Sequence, residues 1–171
     1  MASQSMPIGV VLERRETDHP WQSIAWTAVS VIPNAPAIDG WREIDRGDGW
    51  IHYHAATLRL EIFHQDTEGY KYNLGNTPPR IYLVLRYDDE AEHGIVPFLA
   101  TACPYEASAY LDGDEDLVEP VTMPEIVAHW LGEFVEQHHV DEPRYKRKRE
   151  PHVPRDAGPD ADRNTRGRAA R

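Results

Sequence analysis

Two apolar segments near the middle of the chain give its clearest structural signal. Ile81–Tyr87 and Ile95–Cys103 are rich in β-branched, aromatic and other apolar residues, and the acidic loop Asp88–Gly94 separates them. Two such segments around a glycine-containing turn predict a β-hairpin. Because both segments are almost entirely apolar on either face, we expect two central strands that are covered on both sides.

Further strands are predicted on both sides of this hairpin. Ile8–Arg15 indicates a first strand, and Ser23–Ile32 is largely apolar on both faces, so it is expected well inside the sheet. Trp41–Arg46 is typical of a short exposed strand, and the tight turn Asp45–Gly49 leads into a half-buried strand. The remaining segments are 66–76, expected as a loop or hairpin, 104–111, expected as one short helical turn, and 117–122, expected as an edge strand.

One long helix is predicted over residues 124–139. Pro124 and Glu125 are typical first-turn residues, and Thr122 is the expected cap. Apolar residues, among them Trp130 and Phe134, then recur at helical spacing and form one stripe. The whole pattern predicts a mainly β (α+β) fold: a small antiparallel sandwich or half-open barrel with one C-terminal helix packed on it.

Charge divides the chain into two parts. The formal net charge is −11, but residues 144–171 carry ten Lys and Arg against four Asp and Glu, which leaves −17 for residues 1–143. We expect a disordered start over residues 1–6, a single globular domain over residues 7–143, and a basic, disordered tail over residues 144–171. The acidic domain argues against nucleic-acid binding, because phosphate contacts need a cationic surface.

Composition narrows the class of protein further. The sequence has no apolar run of about eighteen residues and no secretory apolar segment, so we expect a cytoplasmic protein without a membrane span. Its single cysteine, Cys103, excludes an internal disulfide and any multi-cysteine metal site. Glycine-rich nucleotide-binding motifs and a G-x-S-x-G nucleophile motif do not occur.

Two groups of residues could carry chemistry, and in both cases we favour a structural interpretation. His52 and His54 share one face of a strand and could bind a metal, but no third ligand is visible nearby. Cys103 would need a neighbouring base and an electropositive setting to act as a nucleophile, and an acidic body disfavours its thiolate. We therefore expect a buried cysteine, and we predict no catalytic residue, no metal site and no cofactor.

Two segments are candidates for contact with a protein partner. The basic segment of the tail could bind an acidic partner, and exposed aromatic residues around Tyr70 could provide a second contact. Trp21 and Trp41 could join the tyrosines in one aromatic patch. The predicted partner-binding residues are Tyr145, Lys146, Arg147, Lys148, Arg149, Tyr70 and Tyr72.

Several blocks of the sequence resemble a bacterial protein family of unknown function. They are PIGVVLERR, PW in the first turn, TEGYKYNLGNTPPRIYLVLR, VPFLATACPYEASAYLD and MPEIVAHWLGEFVEQHHVDEPRYKRKR, within residues 7–149. Genes of that family are commonly found beside those for molybdenum-dependent formate dehydrogenase and its maturation factors. The resemblance implies a cellular context, namely the assembly, insertion or regulation of a molybdopterin enzyme, and it supplies no catalytic mechanism.

The expected function is therefore that of a non-catalytic accessory protein. It would act in assembly, maturation or regulation of a molybdopterin-dependent formate dehydrogenase by binding one of its subunits or a maturation factor. Two alternatives stay open: a β-domain that binds a small, pterin-like molecule, and an enzyme that uses Cys103. An enclosed cavity would favour these alternatives, whereas an exposed aromatic face would favour a protein partner.

Overall fold

The computed structural model describes residues 2–141, which form two antiparallel β-sheets and three α-helices. The strands are β1 (Ser3–Glu16), β2 (Ile24–Pro33), β3 (Arg42–Gly47), β4 (Trp50–Phe63), β5 (Arg80–Tyr87), β6 (Ile95–Thr101) and β7 (Asp116–Thr122). The helices are α1 (Thr67–Leu74), α2 (Pro104–Leu111) and α3 (Glu125–His138), and a 3-10 turn, His64–Asp66, precedes α1. None of the helices within residues 2–141 is long and apolar enough to cross a lipid bilayer.

The two sheets pack face to face as an open sandwich. The first sheet has the strand order β2-β1-β4-β3, and the second has the order β6-β5-β7. Alternate residues of β1, such as Ile8 and Leu12, share one buried core with Ile81, Leu83 and related residues of β5. Neither sheet closes into a barrel. The predicted mainly β sandwich is confirmed.

The positions of the strands along the chain agree well with the prediction, but the predicted burial of β2 and β6 does not. The hairpin of β5 and β6 is confirmed, but only β5 is central, and β6 is an edge strand whose Val96 and Phe98 are exposed. The interior position predicted for β2 is wrong, because β2 pairs with β1 alone and exposes Val29. The disordered start is wrong from Ser3 onward, since β1 begins there and pairs with the end of β4.

Helices close one end of the sandwich. Helix α3 is confirmed, and it buries Val127, Leu131 and Phe134 against α1 and the core. Thr122 is the last residue of β7 and does not cap α3; Pro124 precedes the first turn instead. Two further helices are present where the sequence predicted a loop or hairpin (α1) and a single helical turn (α2). These two short helices carry the candidate site.

Candidate protein-binding site

Only one of the two predicted tyrosines of α1 is exposed. Tyr72 has 62% of its surface exposed, whereas Tyr70 has 1%, so the prediction of an exposed Tyr70 is wrong. Because α1 is a helix, residues two positions apart point about 200° away from each other and cannot share a face. The Tyr70 hydroxyl accepts a hydrogen bond from the backbone N–H of Phe63 at 3.0 Å, and burial raises the pKa of this phenol.

Tyr105 of α2 joins Tyr72 to form an exposed aromatic surface, which we call the tyrosine pair. Tyr105 is 57% exposed, and the centroids of the two rings lie 6.4 Å apart with 31° between their planes. Tyr105 was not among the binding residues predicted from the sequence. Pro104 suits the first position of a helix and was a signal for α2, but which face of that helix Tyr105 occupies depends on how α2 packs.

A buried asparagine fixes α1 relative to the second sheet. The Asn73 side chain is fully buried, and its Nδ2 donates hydrogen bonds to the carbonyl oxygens of Arg80 at 2.7 Å and Ala102 at 2.8 Å. Its Oδ1 accepts a hydrogen bond from the backbone N–H of Arg80 at 2.9 Å. One side chain thus joins α1 to the start of β5 and to the segment that leads into α2, the helix of Tyr105.

A glycine lets α1 approach Cys103 closely. A Cβ atom at Gly69 would lie 2.7 Å from the Cys103 Sγ, inside van der Waals contact. Cys103 is 3% exposed, as predicted, and its backbone N–H donates a hydrogen bond to the Thr101 hydroxyl at 3.1 Å. Burial raises the pKa of the thiol, which disfavours the nucleophilic thiolate. The contacts of Cys103 are those of a packing residue beneath the tyrosine pair.

We expect Gly69→Ala to lower the free energy of unfolding by about 1–3 kcal/mol, because the new methyl group overlaps the Cys103 sulfur. Removing that sulfur with Cys103→Ala in the same chain should recover part of the loss. Urea unfolding of the two single variants and the double variant measures this coupling.

Gly132→Ala on α3 is the matched control, because a Cβ there meets nothing within 4 Å. This substitution should leave stability unchanged or raise it, since alanine favours a helix interior. Additive effects of Gly69→Ala and Cys103→Ala would contradict the proposed contact.

The two candidate tryptophans do not join the tyrosine pair. Trp21 is 90% exposed in the turn between β1 and β2, and Trp41 packs against Trp26 and Tyr53. Tyr145, Lys146, Arg147, Lys148 and Arg149 lie outside the described residues, as does the rest of the predicted tail.

The two histidines of β4 have separate partners. His52 Nε2 lies 2.8 Å from Glu13 Oε2, and His54 Nε2 lies 3.0 Å from the Thr57 hydroxyl. Burial lowers the pKa of His54, which favours a neutral ring. Within residues 2–141 no three His, Cys, Asp or Glu side chains are grouped so that they could hold a metal ion.

Comparison with protein-family models matches residues 7–149 to the family described as "Protein of unknown function (DUF3305)". The chain belongs to this family. The match covers most of the chain and includes the three helices found within residues 2–141 of this DUF3305 protein, with both members of the tyrosine pair. Neither the curated proteins nor the solved structures contain a match.

Proposed function

We propose that this DUF3305 domain is a non-catalytic protein-binding module. It would serve as an accessory protein in assembly, maturation or regulation of a molybdenum-dependent formate dehydrogenase, by binding a subunit of that enzyme or one of its maturation proteins. The observation that carries the proposal is the tyrosine pair: two large aromatic side chains, 62% and 57% exposed, side by side on a packed scaffold.

The chemistry of the tyrosine pair suits a protein interface. Tyrosine is enriched among the few interface residues that contribute most of the binding energy, because its ring buries a large area and its hydroxyl still forms hydrogen bonds. The fixed positions of α1 and α2 also favour binding. Asn73 and the contact between Gly69 and Cys103 hold the two helices in place, so little conformational entropy is lost when a partner binds.

The charge distribution supports binding to a protein partner, and the sequence resemblance supports the proposed identity of that partner. The −17 of residues 1–143 and the +6 of residues 144–171 favour association steered by charge, which weakens as salt rises. The resemblance of the blocks within residues 7–149 to a family encoded beside formate dehydrogenase supports the cellular context. The buried Cys103, with its raised pKa, is poorly suited to nucleophilic chemistry.

We expect the double variant Tyr72→Ala, Tyr105→Ala to bind its partner at least about thirtyfold more weakly than the wild type, the effect of losing one strong interface contact. The measurement is capture of formate dehydrogenase subunits and maturation proteins from the native host, identified by mass spectrometry and quantified for each variant. Tyr87→Ala is the matched control, because Tyr87 is 63% exposed and lies at the opposite end of β5 from the Asn73 contact. Equal capture by the double variant and the control would contradict a role for the tyrosine pair.

The same variants test the function in cells. Deleting the gene should lower formate dehydrogenase activity, and the wild type and Tyr87→Ala should restore it while the double variant should not. A deletion strain with normal activity and normal cofactor loading would overturn the accessory role, whatever the result of the capture experiment.

A further inference from the structure

Four aromatic rings meet at the end of the sandwich opposite the helices. Trp26 on β2, Trp41 just before β3 and Tyr53 on β4 form three walls, which we call the aromatic box. Their ring centroids lie 5.2 Å apart for Trp26 and Trp41, 5.7 Å for Trp41 and Tyr53, and 6.0 Å for Trp26 and Tyr53. The ring planes meet at 76°, 66° and 46°, so the walls face different directions and do not form a parallel stack.

The fourth ring, His93, occupies the box. Its centroid lies 4.2 Å from that of Trp41, 5.3 Å from Tyr53 and 5.8 Å from Trp26. The imidazole stacks on Trp41 at 30° and meets Trp26 edge-on at 75°. The walls belong to strands of the first sheet and the segment beside them, whereas His93 belongs to the loop between β5 and β6 of the second sheet. All four residues are only half-buried, so solvent reaches the box.

The His93 side chain can leave the box without unfolding its loop. The loop is closed by its own backbone hydrogen bonds, from the N–H of Asp88 to the carbonyl of Gly94 and from the N–H of Gly94 to the carbonyl of Ala91. Gly94 takes a φ of 72°, which glycine adopts without strain. These backbone hydrogen bonds do not involve the His93 side chain, so rotation about its Cα–Cβ bond would expose the three aromatic faces without breaking them.

The charges around the box favour a cation as the alternative occupant. Asp88, Asp89, Glu90 and Glu92 lie on the same loop as His93. Positive groups also lie beside the walls: Arg14 pairs with Trp26 across the strands, Arg42 follows Trp41 in the chain, and Arg46 interacts electrostatically with Tyr53. Arg46 is neutralised by its ion pair with Glu43, so acidic groups outnumber the free basic ones.

We propose that the aromatic box binds an arginine side chain of a partner protein, and that His93 is an internal occupant which the guanidinium displaces. A guanidinium is planar and always charged, it stacks on tryptophan and tyrosine faces, and it is only weakly hydrated. It would take the place of the imidazole on Trp41, beside the acidic loop that carries His93. This site is separate from the tyrosine pair and does not depend on which partner the tyrosine pair binds.

The test uses two peptides that differ only in charge: acetyl-Gly-Arg-Gly-amide and the same peptide with citrulline in place of arginine. Tryptophan fluorescence of the full chain is titrated with each peptide at constant ionic strength. In the His93→Ala variant, where the box is vacant, we expect the arginine peptide to bind about tenfold more tightly than the citrulline peptide. We also expect it to bind His93→Ala about tenfold more tightly than it binds the wild type, because His93 no longer competes.

A second substitution locates the binding. Trp41→Leu in the His93→Ala chain should abolish the preference for arginine, while Trp21→Leu in that chain should preserve it, because Trp21 is 90% exposed and lies outside the box. Equal affinity for the two peptides, or a preference that survives Trp41→Leu, would overturn the proposal.

The wild-type chain provides a measurement that does not depend on whether the variants fold. Proton NMR follows the ring resonances of His93 and of the exposed His19 during titration with the arginine peptide. Displacement predicts a shift of the His93 resonance, little change at His19, and no shift of either with the citrulline peptide. A His93 resonance that stays fixed throughout the titration would show that the arginine peptide does not displace the imidazole, and this would contradict the proposal.

Discussion

Replacing Phe134 with alanine is expected to lower the free energy of unfolding by about 3–5 kcal/mol. Phe134 is 1% exposed, and its ring centroid lies 6.5 Å from that of Tyr70, at 67° between the planes. The substitution leaves a cavity between α3 and α1 where the helices close the sandwich. The free energy of unfolding of an ordinary domain is about 5–15 kcal/mol, so the melting temperature should fall by about 10 °C or more.

Ile126→Ala on the same helix separates burial from helix propensity. Ile126 is 58% exposed, so its truncation should change stability by no more than about 0.5 kcal/mol. Thermal unfolding monitored by circular dichroism measures both variants. Similar melting temperatures for Phe134→Ala and Ile126→Ala would show that α3 does not dock through its apolar stripe.

The sequence predicts the strands well because β-branched, aromatic and other apolar residues are concentrated in them and turn residues separate them. It does not predict which strands lie at the edge, since coverage depends on distant parts of the chain. Phe98 illustrates this. It lies on edge strand β6 and is 43% exposed, yet the guanidinium of Arg86 covers its ring at 3.5 Å from the centroid. The Arg86 side chain therefore covers part of a strand face that the sequence pattern predicted to be buried under another layer of the fold.

Helix α1 escaped prediction because its residues serve tertiary contacts at the expense of helix propensity. Gly69 and Asn73 both disfavour a helix interior. In the folded chain, Gly69 allows the approach to Cys103, and Asn73 supplies three hydrogen bonds to neighbouring backbone groups. Local sequence alone cannot reveal these benefits, because the partners lie up to 34 positions away at Cys103.

The candidate site could be predicted only in part for the same reason. Tyr72 was identified correctly as exposed, but the helix that turns Tyr70 inward was not foreseen. The aromatic box combines one residue each from β2 and β4 with Trp41, just before β3, and its occupant His93 comes from the loop between β5 and β6. Its assembly follows from the way the two sheets stack, which no local pattern encodes.

Asn73→Ala is expected to lower the free energy of unfolding by about 2–4 kcal/mol, because backbone groups at a buried and partly buried site lose their hydrogen bonds to Asn73. The carbonyl oxygens of Arg80 and Ala102 would lose their donor, and the N–H of Arg80 would lose its acceptor. Asn73→Asp should also destabilise the domain near neutral pH, because a carboxylate would face two carbonyl oxygens that it cannot donate to.

Asn76→Ala is the matched control for Asn73→Ala. Asn76 is exposed, and its described hydrogen bond runs from its backbone N–H to the Asn73 carbonyl, which the substitution keeps. Its stability should change by no more than about 0.5 kcal/mol. Urea unfolding measures the stability of the two variants. Partner capture at a temperature where Asn73→Ala remains folded shows whether a loosened α1 weakens binding through Tyr72. If Asn73→Ala unfolds at the same urea concentration as Asn76→Ala, the side chain of Asn73 does not hold α1 to β5, and the rigidity assigned to the tyrosine pair has another source.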